Sequence, residues 1–133
     1  MTAAPECELP PLELMACFYA ESADADQALA VGRALLNSLA GFSPQCRGTP
    51  ERYWKIPGWY EHTLDLAPGT EAAFDDLLKL ADGGSWDVVR DGECWAVWNG
   101  AEGGLFLLPE VKWAHILLNR PNPPADDQHY EPL

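Results

Sequence analysis

Residues 51–66, ERYWKIPGWYEHTLDL, hold two tryptophans and two tyrosines on the two sides of a single Pro-Gly pair. Proline presets φ and glycine accepts a positive φ, so Pro57-Gly58 predicts the centre of a type II turn. Residues 59–66 then alternate between two faces, which predicts a strand, and residues 53–56 predict a short strand before the turn. The more apolar face of the longer strand carries Tyr60, His62, Leu64 and Leu66.

The segment before this stretch predicts a buried strand and then a helix. Residues 12–21, LELMACFYAE, carry apolar side chains on both faces, as is typical of a strand inside a sheet. Asp24 and Gln27 have the spacing of a capping box, and Gly41 is expected to end the helix in a left-handed cap. One apolar stripe predicts the buried side of this helix: Ala28, Val31, Gly32, Leu35, Leu36 and Leu39.

The segment after it predicts a second helix and then antiparallel strands. The helix is expected over residues 68–84, with Thr70 as its cap and Gly83-Gly84 at its end. Residues 85–90 and 93–98 flank Asp91-Gly92, a pair typical of a type I′ hairpin. Residues 105–108 and 111–118 predict a final strand or pair of strands. The stripe expected to be buried on the second helix consists of Ala73, Phe74, Leu77, Leu78 and Ala81.

The predicted order is β-α-β-α-β-β-β, which indicates an α+β two-layer sandwich of two helices on a mostly antiparallel sheet. A ferredoxin-like variant is the first topology considered. We expect one domain over residues 1–118, of which residues 1–11 form a loose arm. Residues 119–133 are rich in proline and are expected to form an extended or disordered tail.

Composition and charge exclude several classes of function. The chain has 133 residues and a formal net charge of −13. Nucleic acids and anionic membranes attract Lys and Arg, so neither is an expected partner. No apolar run reaches the roughly 20 residues that span a bilayer, and the first residues do not resemble a secretory signal. The four cysteines form no CxxC pair, which favours free thiols in a reducing compartment and predicts a cytoplasmic protein.

No sequence motif for catalysis or for a cofactor is present. Phosphate-binding glycine loops are absent, and the three histidines have no metal-ligand spacing, so we expect no cofactor and no metal. A nucleophilic set of Cys94 and His115 with Asp87 or Glu61 can be imagined, but no local motif supports it. The prediction is therefore that the protein is not an enzyme.

Acidic and aromatic residues predict a surface for a basic protein partner. Residues 60–93 hold nine acidic side chains against two basic ones, Lys79 and Arg90. Aromatic rings supply binding energy at interfaces, and carboxylates steer a basic partner toward them. We expect Trp86, Trp95 and Trp113 to be mostly buried. The predicted partner-binding residues are Trp54, Trp59, Tyr60, Glu61, Asp65, Asp75, Asp76, Asp82, Asp91 and Glu93.

Three stretches, YWKIPGWYEHTLDL, WDVVRDGECWAVWNG and LLPEVKWAHILL, give the chain the character of a known class. A small, acidic α+β domain that is rich in tryptophan and has no catalytic motif resembles the immunity proteins of bacterial polymorphic toxin systems, including contact-dependent growth inhibition and type VI secretion. The resemblance implies a protein that binds one cognate toxin and blocks its active site or substrate groove. A nuclease toxin would present a basic groove to the acidic region.

Two other functions are compatible with the sequence. A small-ligand-binding protein or enzyme would use a pocket around Tyr60, His62 and Trp95. A structural domain would form an oligomer through apolar strand edges at residues 106–108 or 115–118. The sequence leaves the oligomeric state and the open face of the sheet undetermined.

Overall fold

The computed structural model describes residues 12–91, 93–101 and 103–120. The predicted N-terminal arm and residues 121–133 of the predicted tail lie outside the described residues. Two α-helices occur in the described ranges, α1 (Ala25–Ser38) and α2 (Glu71–Leu78). The strands there are β1 (Glu13–Glu21), β2 (Gln45–Cys46), β3 (Glu51–Arg52), β4 (Trp59–Leu66), β5 (Ala81–Asp82), β6 (Ser85–Asp91), β7 (Glu93–Asn99), β8 (Leu105–Phe106) and β9 (Val111–Asn119).

The main sheet is antiparallel and has the order β2-β4-β1-β9-β7-β6, with β3 also paired to β4. A separate small sheet pairs β5 with β8. Strand β1 lies between β4 and β9, which confirms the prediction that its two apolar faces belong inside a sheet. Strand β4 has the predicted bounds, and its burial alternates along its whole length.

Both helices cover the same face of this sheet. Val31, Leu35 and Leu39 from the first helical segment, with Phe74 and Leu77 from α2, join the sheet residues in one buried cluster. The predicted α+β two-layer sandwich is therefore confirmed. In a split β-α-β unit another strand separates the two strands that a helix joins, whereas β1 and β4 are neighbours here. The strand order does not establish the ferredoxin-like comparison.

The start of α1 follows the sequence prediction, but its end does not. Asp24 accepts a hydrogen bond from the Gln27 backbone N–H at 2.9 Å, and the Gln27 side chain accepts one from Ala23 N–H at 2.7 Å. The helix ends at Ser38, and Ser43, with φ of 49°, takes the left-handed conformation expected of Gly41. Leu39 is fully buried, and a short 3-10 turn over Ala40–Phe42 follows it.

The second helix is shorter than predicted. Thr70 caps it by accepting a hydrogen bond from Ala73 N–H at 3.1 Å, as expected. It ends at Leu78, and Ala81–Asp82 forms β5 because its backbone pairs with Leu105–Phe106. Phe106 is fully buried, so this small sheet closes one end of the core. Tertiary pairing therefore overrides the helical pattern beyond residue 78.

The turn in the opening stretch is confirmed, but the short strand before it is displaced. Gly58 has φ of 86°, and the Trp59 N–H donates to the Ile56 carbonyl at 3.2 Å, as in a type II turn. The strand expected at residues 53–56 lies instead at Glu51–Arg52, paired with β4. Tyr53 lies just beyond this strand, where its N–H still donates to the Trp59 carbonyl at 2.9 Å and its side chain enters a buried aromatic cluster.

The hairpin register differs from that of a two-residue Asp91-Gly92 turn. Such a turn would pair Arg90 with Glu93, but Arg90 is paired with Cys94 and Asp91 with Glu93. This register places Trp98 on the face that the helices cover, where it is fully buried. Trp86, Trp95 and Trp113, which were expected to be mostly buried, are partly buried, and Trp98 is the tryptophan that is fully buried among the described residues. Trp86 lies on the edge strand, and Trp95 and Trp113 point to the opposite face of the sheet.

Candidate functional site

No described helix packs on the second face of the main sheet, which is called the open face below. Alternation along the strands assigns it the odd-numbered residues from 13 to 21 on β1, 59 to 65 on β4, 85 to 91 on β6, 93 to 99 on β7 and 113 to 119 on β9. The buried residues of both helices lie elsewhere, because they belong to the cluster on the opposite face. Neither described helix covers the open face, although Tyr19 and His115 on it are buried and Tyr53 packs against it.

Aromatic rings run across the open face from one edge to the far side, and this group is called the aromatic strip. Tyr19 lies at its centre, with ring centroids 4.9 Å from Tyr53 and 5.3 Å from Trp113. Trp59 stacks on Tyr53 at 6.4 Å. His115 continues the series with centroids 6.2 Å from Trp113 and 6.5 Å from Trp95. Trp54 adjoins Tyr53 at the edge of the sheet.

Exposure varies strongly along this strip. Tyr19 and Tyr53 are buried and fix the position of their neighbours. Trp59, Trp95 and Trp113 are half-buried. Trp54 is 74% exposed, the highest value among the large hydrophobic residues that the structure describes. A rigid buried base under exposed rings is typical of the anchor residues of protein interfaces.

A hydrogen-bonded group lies beside the strip. The Cys17 thiol and the Tyr19 hydroxyl both donate to Oε2 of Glu61, each at 3.3 Å. Thr63 Oγ1 donates to Cys17 Sγ at 3.7 Å. Burial, together with the Glu61 charge, raises the pKa of Cys17 to about 12, so this thiol stays protonated and is a poor nucleophile. These contacts hold the Glu61 carboxylate in place at the margin of the aromatic strip.

Carboxylates surround the apolar centre of the open face. Glu51 lies directly opposite Glu61 across the β3–β4 pair, a placement that like charges disfavour. Asp65 accepts hydrogen bonds from Arg47 Nη2 at 2.8 Å and from Arg47 Nε at 3.0 and 3.1 Å. Glu93 accepts a hydrogen bond from Arg120 N–H at 3.0 Å. Glu51 and Glu61 therefore form a like-charged cross-strand pair at one edge, as Asp91 and Glu93 do at the end of the β6–β7 hairpin.

The structure brings together only part of the predicted partner-binding set. Trp59, Glu61, Asp65, Asp91 and Glu93 share the open face, and Trp54 adjoins it. Tyr60 is buried and points to the helix side, because it alternates with Trp59 and Glu61. The remaining three residues lie on other elements: Asp75 and Asp76 on α2, and Asp82 on β5.

Two of these distant carboxylates already have basic neighbours within the chain. Asp75 Oδ1 lies 2.6 Å from Arg90 Nη2, and the Arg90 guanidinium lies 5.3 Å from the centre of the Phe74 ring. Asp76 lies 3.8 Å from Lys79 Nζ, one helical turn along. The acidic run seen in the sequence is therefore divided between two sides of the molecule.

Sequence reasoning missed much of the aromatic strip. Tyr19, Tyr53, Trp95, Trp113 and His115 were not among the predicted partner-binding residues, yet they form its centre. The alternation of side chains along a strand could have grouped these residues. Cys17 and Tyr19 on β1 and Trp113 and His115 on β9 all have odd numbers, so they share one face when the two strands pair. That signal becomes usable only when the strand order and the register are known.

The geometry contradicts the nucleophilic set of Cys94 and His115 and a pocket lined jointly by Tyr60, His62 and Trp95. Cys94 is buried on the helix side, whereas His115 lies on the open face, so they cannot act as a nucleophile and its base. Trp95 is also on the open face, so it cannot line one pocket with Tyr60 and His62. Within the described ranges no group of three or more His, Cys, Asp or Glu side chains is arranged to hold a metal ion.

Strand pairing rules out one of the two predicted oligomerisation edges. Residues 115–118 belong to β9, which is paired on both sides, with β1 and with β7. Phe106 is fully buried against Phe18, Trp86 and Trp98. Pairing through residues 115–118 is therefore excluded, whereas β8 pairs with β5 alone among the described strands, and it is the Phe106 side chain that is not available to a second copy.

Comparisons of the chain with protein-family models, with curated proteins and with solved structures find no match. Neither helix in the described part of the chain is long and apolar enough to cross a membrane. Among the chain's own residues, the open face is the most distinctive arrangement.

Proposed function

We propose that the protein is a cytoplasmic binding protein that captures and neutralises a basic protein, in the manner of the immunity proteins that protect bacteria from a cognate toxin. The observation that carries this proposal is the aromatic strip on the open face, bounded by carboxylates. The partner contacts Trp54, Trp59 and Trp113 with its apolar side chains and places its basic residues against the acidic rim.

The aromatic strip suits tight binding because its rings are held before the partner arrives. Tyr53 is 4% exposed and packs against both Tyr19 and Trp59, so little side-chain freedom is lost on association. A cation already lies over the most exposed ring, since Lys55 Nζ is 5.2 Å from the centre of the Trp54 ring. This geometry indicates that the face of Trp54 accepts a positive charge, as an Arg or Lys of a partner would supply.

The negative charge of the chain favours a basic partner over an acidic one. The chain has a net charge of −13, and Glu51 and Glu61 oppose each other at the edge that carries Trp54. A basic side chain placed between these two carboxylates removes their repulsion when the complex forms. Long-range attraction also raises the association rate, an effect that salt reduces.

Capture of the partner tests this proposal directly. The tagged protein is incubated with lysate from its own source in low salt and in high salt, and retained proteins are identified by mass. We expect one stoichiometric basic protein whose retention weakens as salt rises. The captured protein is then expressed alone and together with this chain.

Neutralisation is the second part of that test. The partner alone is expected to inhibit growth, and coexpression of this chain is expected to relieve the inhibition. A stoichiometric partner that is harmless when expressed alone would contradict the immunity role, while the absence of any stoichiometric partner would contradict the binding role.

A further inference from the structure

A cavity of about 130 Å³ lies on the opposite side of the sheet from the aromatic strip, between α1, β4 and the loop before β3. Most of its wall is apolar, and its mouth includes exposed positions on α1 and on the loop. The lining includes Leu29, Gly32, Leu36, Cys46, Pro50 and His62. An engineered cavity of about 150 Å³ in another protein binds benzene, so this volume matches one six-membered ring.

One polar side chain in the wall is incompletely satisfied. His62 is only 4% exposed, and its Nε2 has no hydrogen-bond partner among the described residues. A buried polar group without a partner costs free energy, so a residue in this state on an apolar wall needs a reason. Nε2 itself has almost no accessible surface, so a molecule in the cavity would meet the other ring nitrogen, Nδ1, which faces the lining residue Gly32 and can accept a hydrogen bond from a donor group.

The helix leaves space at this position. Gly32 lies in the interior of α1, where glycine is less favourable than alanine by about 0.5–1 kcal/mol. A Cβ atom on Gly32 would lie 3.4 Å from His62 Nδ1 and 3.9 Å from Pro50 Cγ. Any side chain longer than alanine would therefore extend toward the imidazole and the cavity wall.

We infer that this cavity is a binding site for a small neutral molecule with one ring or a short branched chain and a single hydrogen-bond donor, which His62 accepts. The site shares Thr63 with the margin of the open face, but no residue of the aromatic strip lines it, so it is distinct from the proposed capture of a basic protein. Burial lowers the pKa of His62 to about 4, which keeps the imidazole neutral near pH 7 and able to accept a hydrogen bond.

Phenol and toluene test the inference, because they have similar rings and only phenol has a donor. Backbone and methyl NMR shifts of the full chain are followed as each compound is added. We expect phenol to shift the resonances of Gly32, Leu36 and His62. In a His62→Phe variant, the affinity for phenol should fall about tenfold, while that for toluene should not fall.

Matched tryptophan variants locate the compound. Leu29 lines the cavity and is 41% exposed, whereas Leu80 lies away from it and is 40% exposed. Leu29→Trp should cover the mouth and weaken both compounds at least tenfold, and Leu80→Trp should change neither. Equal effects of these two variants, or no shift at the cavity residues, would overturn the proposed site. A phenol affinity unchanged by His62→Phe would overturn the role of the imidazole.

The rate of alkylation of Cys46 tests the same site without a substitution in the cavity wall. Cys46 is exposed and lines the cavity, whereas Cys17 and Cys94 are buried. In a chain with Cys7→Ser, saturating phenol should slow the alkylation of Cys46 by severalfold. An unchanged rate at concentrations that saturate the NMR shifts would place the compound elsewhere and contradict the inference.

Discussion

Trp98 shows how single residues determine the packing at the closed end of the core. Its side chain is fully buried, and its Nε1–H donates to the Gly83 carbonyl at 2.9 Å. Two glycines approach the indole so closely that a Cβ would lie 2.3 Å from the ring at Gly84 and 2.6 Å from it at Gly100. Glycine at these positions is therefore required by the tryptophan, rather than by the turns alone.

Gly100→Ala tests this close approach. The added methyl group must displace the indole of a fully buried residue, so we expect the free energy of unfolding to fall by about 1–3 kcal/mol in urea denaturation. Gly41→Ala is the control, because nothing lies within 4 Å of a Cβ at that position. Equal stabilities of the two variants would show that the indole is not tightly enclosed.

Two buried histidines make stability depend on pH. Burial lowers the pKa of His62 and of His115 from 6.5 to about 4 in the folded protein. The unfolded chain therefore binds protons between pH 6.5 and 4 that the folded chain does not bind, so stability falls as the pH falls through this window. The contribution of these groups is fully present above pH 6.5.

Urea denaturation at pH 7.5 and at pH 5 measures this effect. We expect the free energy of unfolding to be lower at pH 5 by about 1–2 kcal/mol for each histidine. His62→Phe should remove about half of the difference that the two histidines produce. A stability that does not change between these pH values would contradict the burial of the two neutral rings.

The helices begin at the caps that the sequence predicts, because local preferences and tertiary contacts favour the same structure there. The capping residues Asp24 and Thr70 were predicted correctly, since a cap depends on side chains a few positions away. The ends of both helices were not, because Leu39 packs into the core and Ala81–Asp82 pairs with a strand more than 20 positions away. Long-range pairing of this kind has no local signal.

Removal of the α1 cap tests the element that the sequence identified best. Asp24→Ala deletes the acceptor for the Gln27 N–H, and we expect a loss of about 1 kcal/mol in the free energy of unfolding. Asp24→Asn should retain most of the stability, because its side-chain oxygen can accept the same bond. If both variants lose the same amount, the charge of Asp24 rather than the capping bond would be responsible.

At the scale of the whole molecule, the sheet separates two chemically distinct sides. The helix side encloses the main core and carries Asp75 and Asp76, whereas the open side carries the aromatic strip and its acidic rim. Composition predicted acids and aromatics at an interface. It did not predict which of them meet, because that depends on the strand order β4-β1-β9-β7 and on register.

Trp54 is predicted to contribute to binding and not to folding. With 74% of the side chain exposed, Trp54→Ala should change the free energy of unfolding by no more than about 0.5 kcal/mol. Because Trp54 is proposed to anchor the partner, Trp54→Ala should weaken the free energy of binding by about 2 kcal/mol or more, which is roughly a 30-fold loss of affinity. Calorimetric titration with the captured partner and urea denaturation measure the two effects. A variant that is strongly destabilised but still binds normally would reverse this assignment.

The affinity of the captured partner for two matched double variants tests the central claim most directly. One variant carries Trp54→Ala and Glu51→Gln beside the open face, and the other carries Leu80→Ala and Asp76→Asn beside α2, so each loses one exposed apolar side chain and one carboxylate. We predict that the first variant loses at least 30-fold in affinity, while the second binds within about threefold of the unmodified protein. Normal binding by the first variant, together with weakened binding by the second, would contradict the open face as the interface.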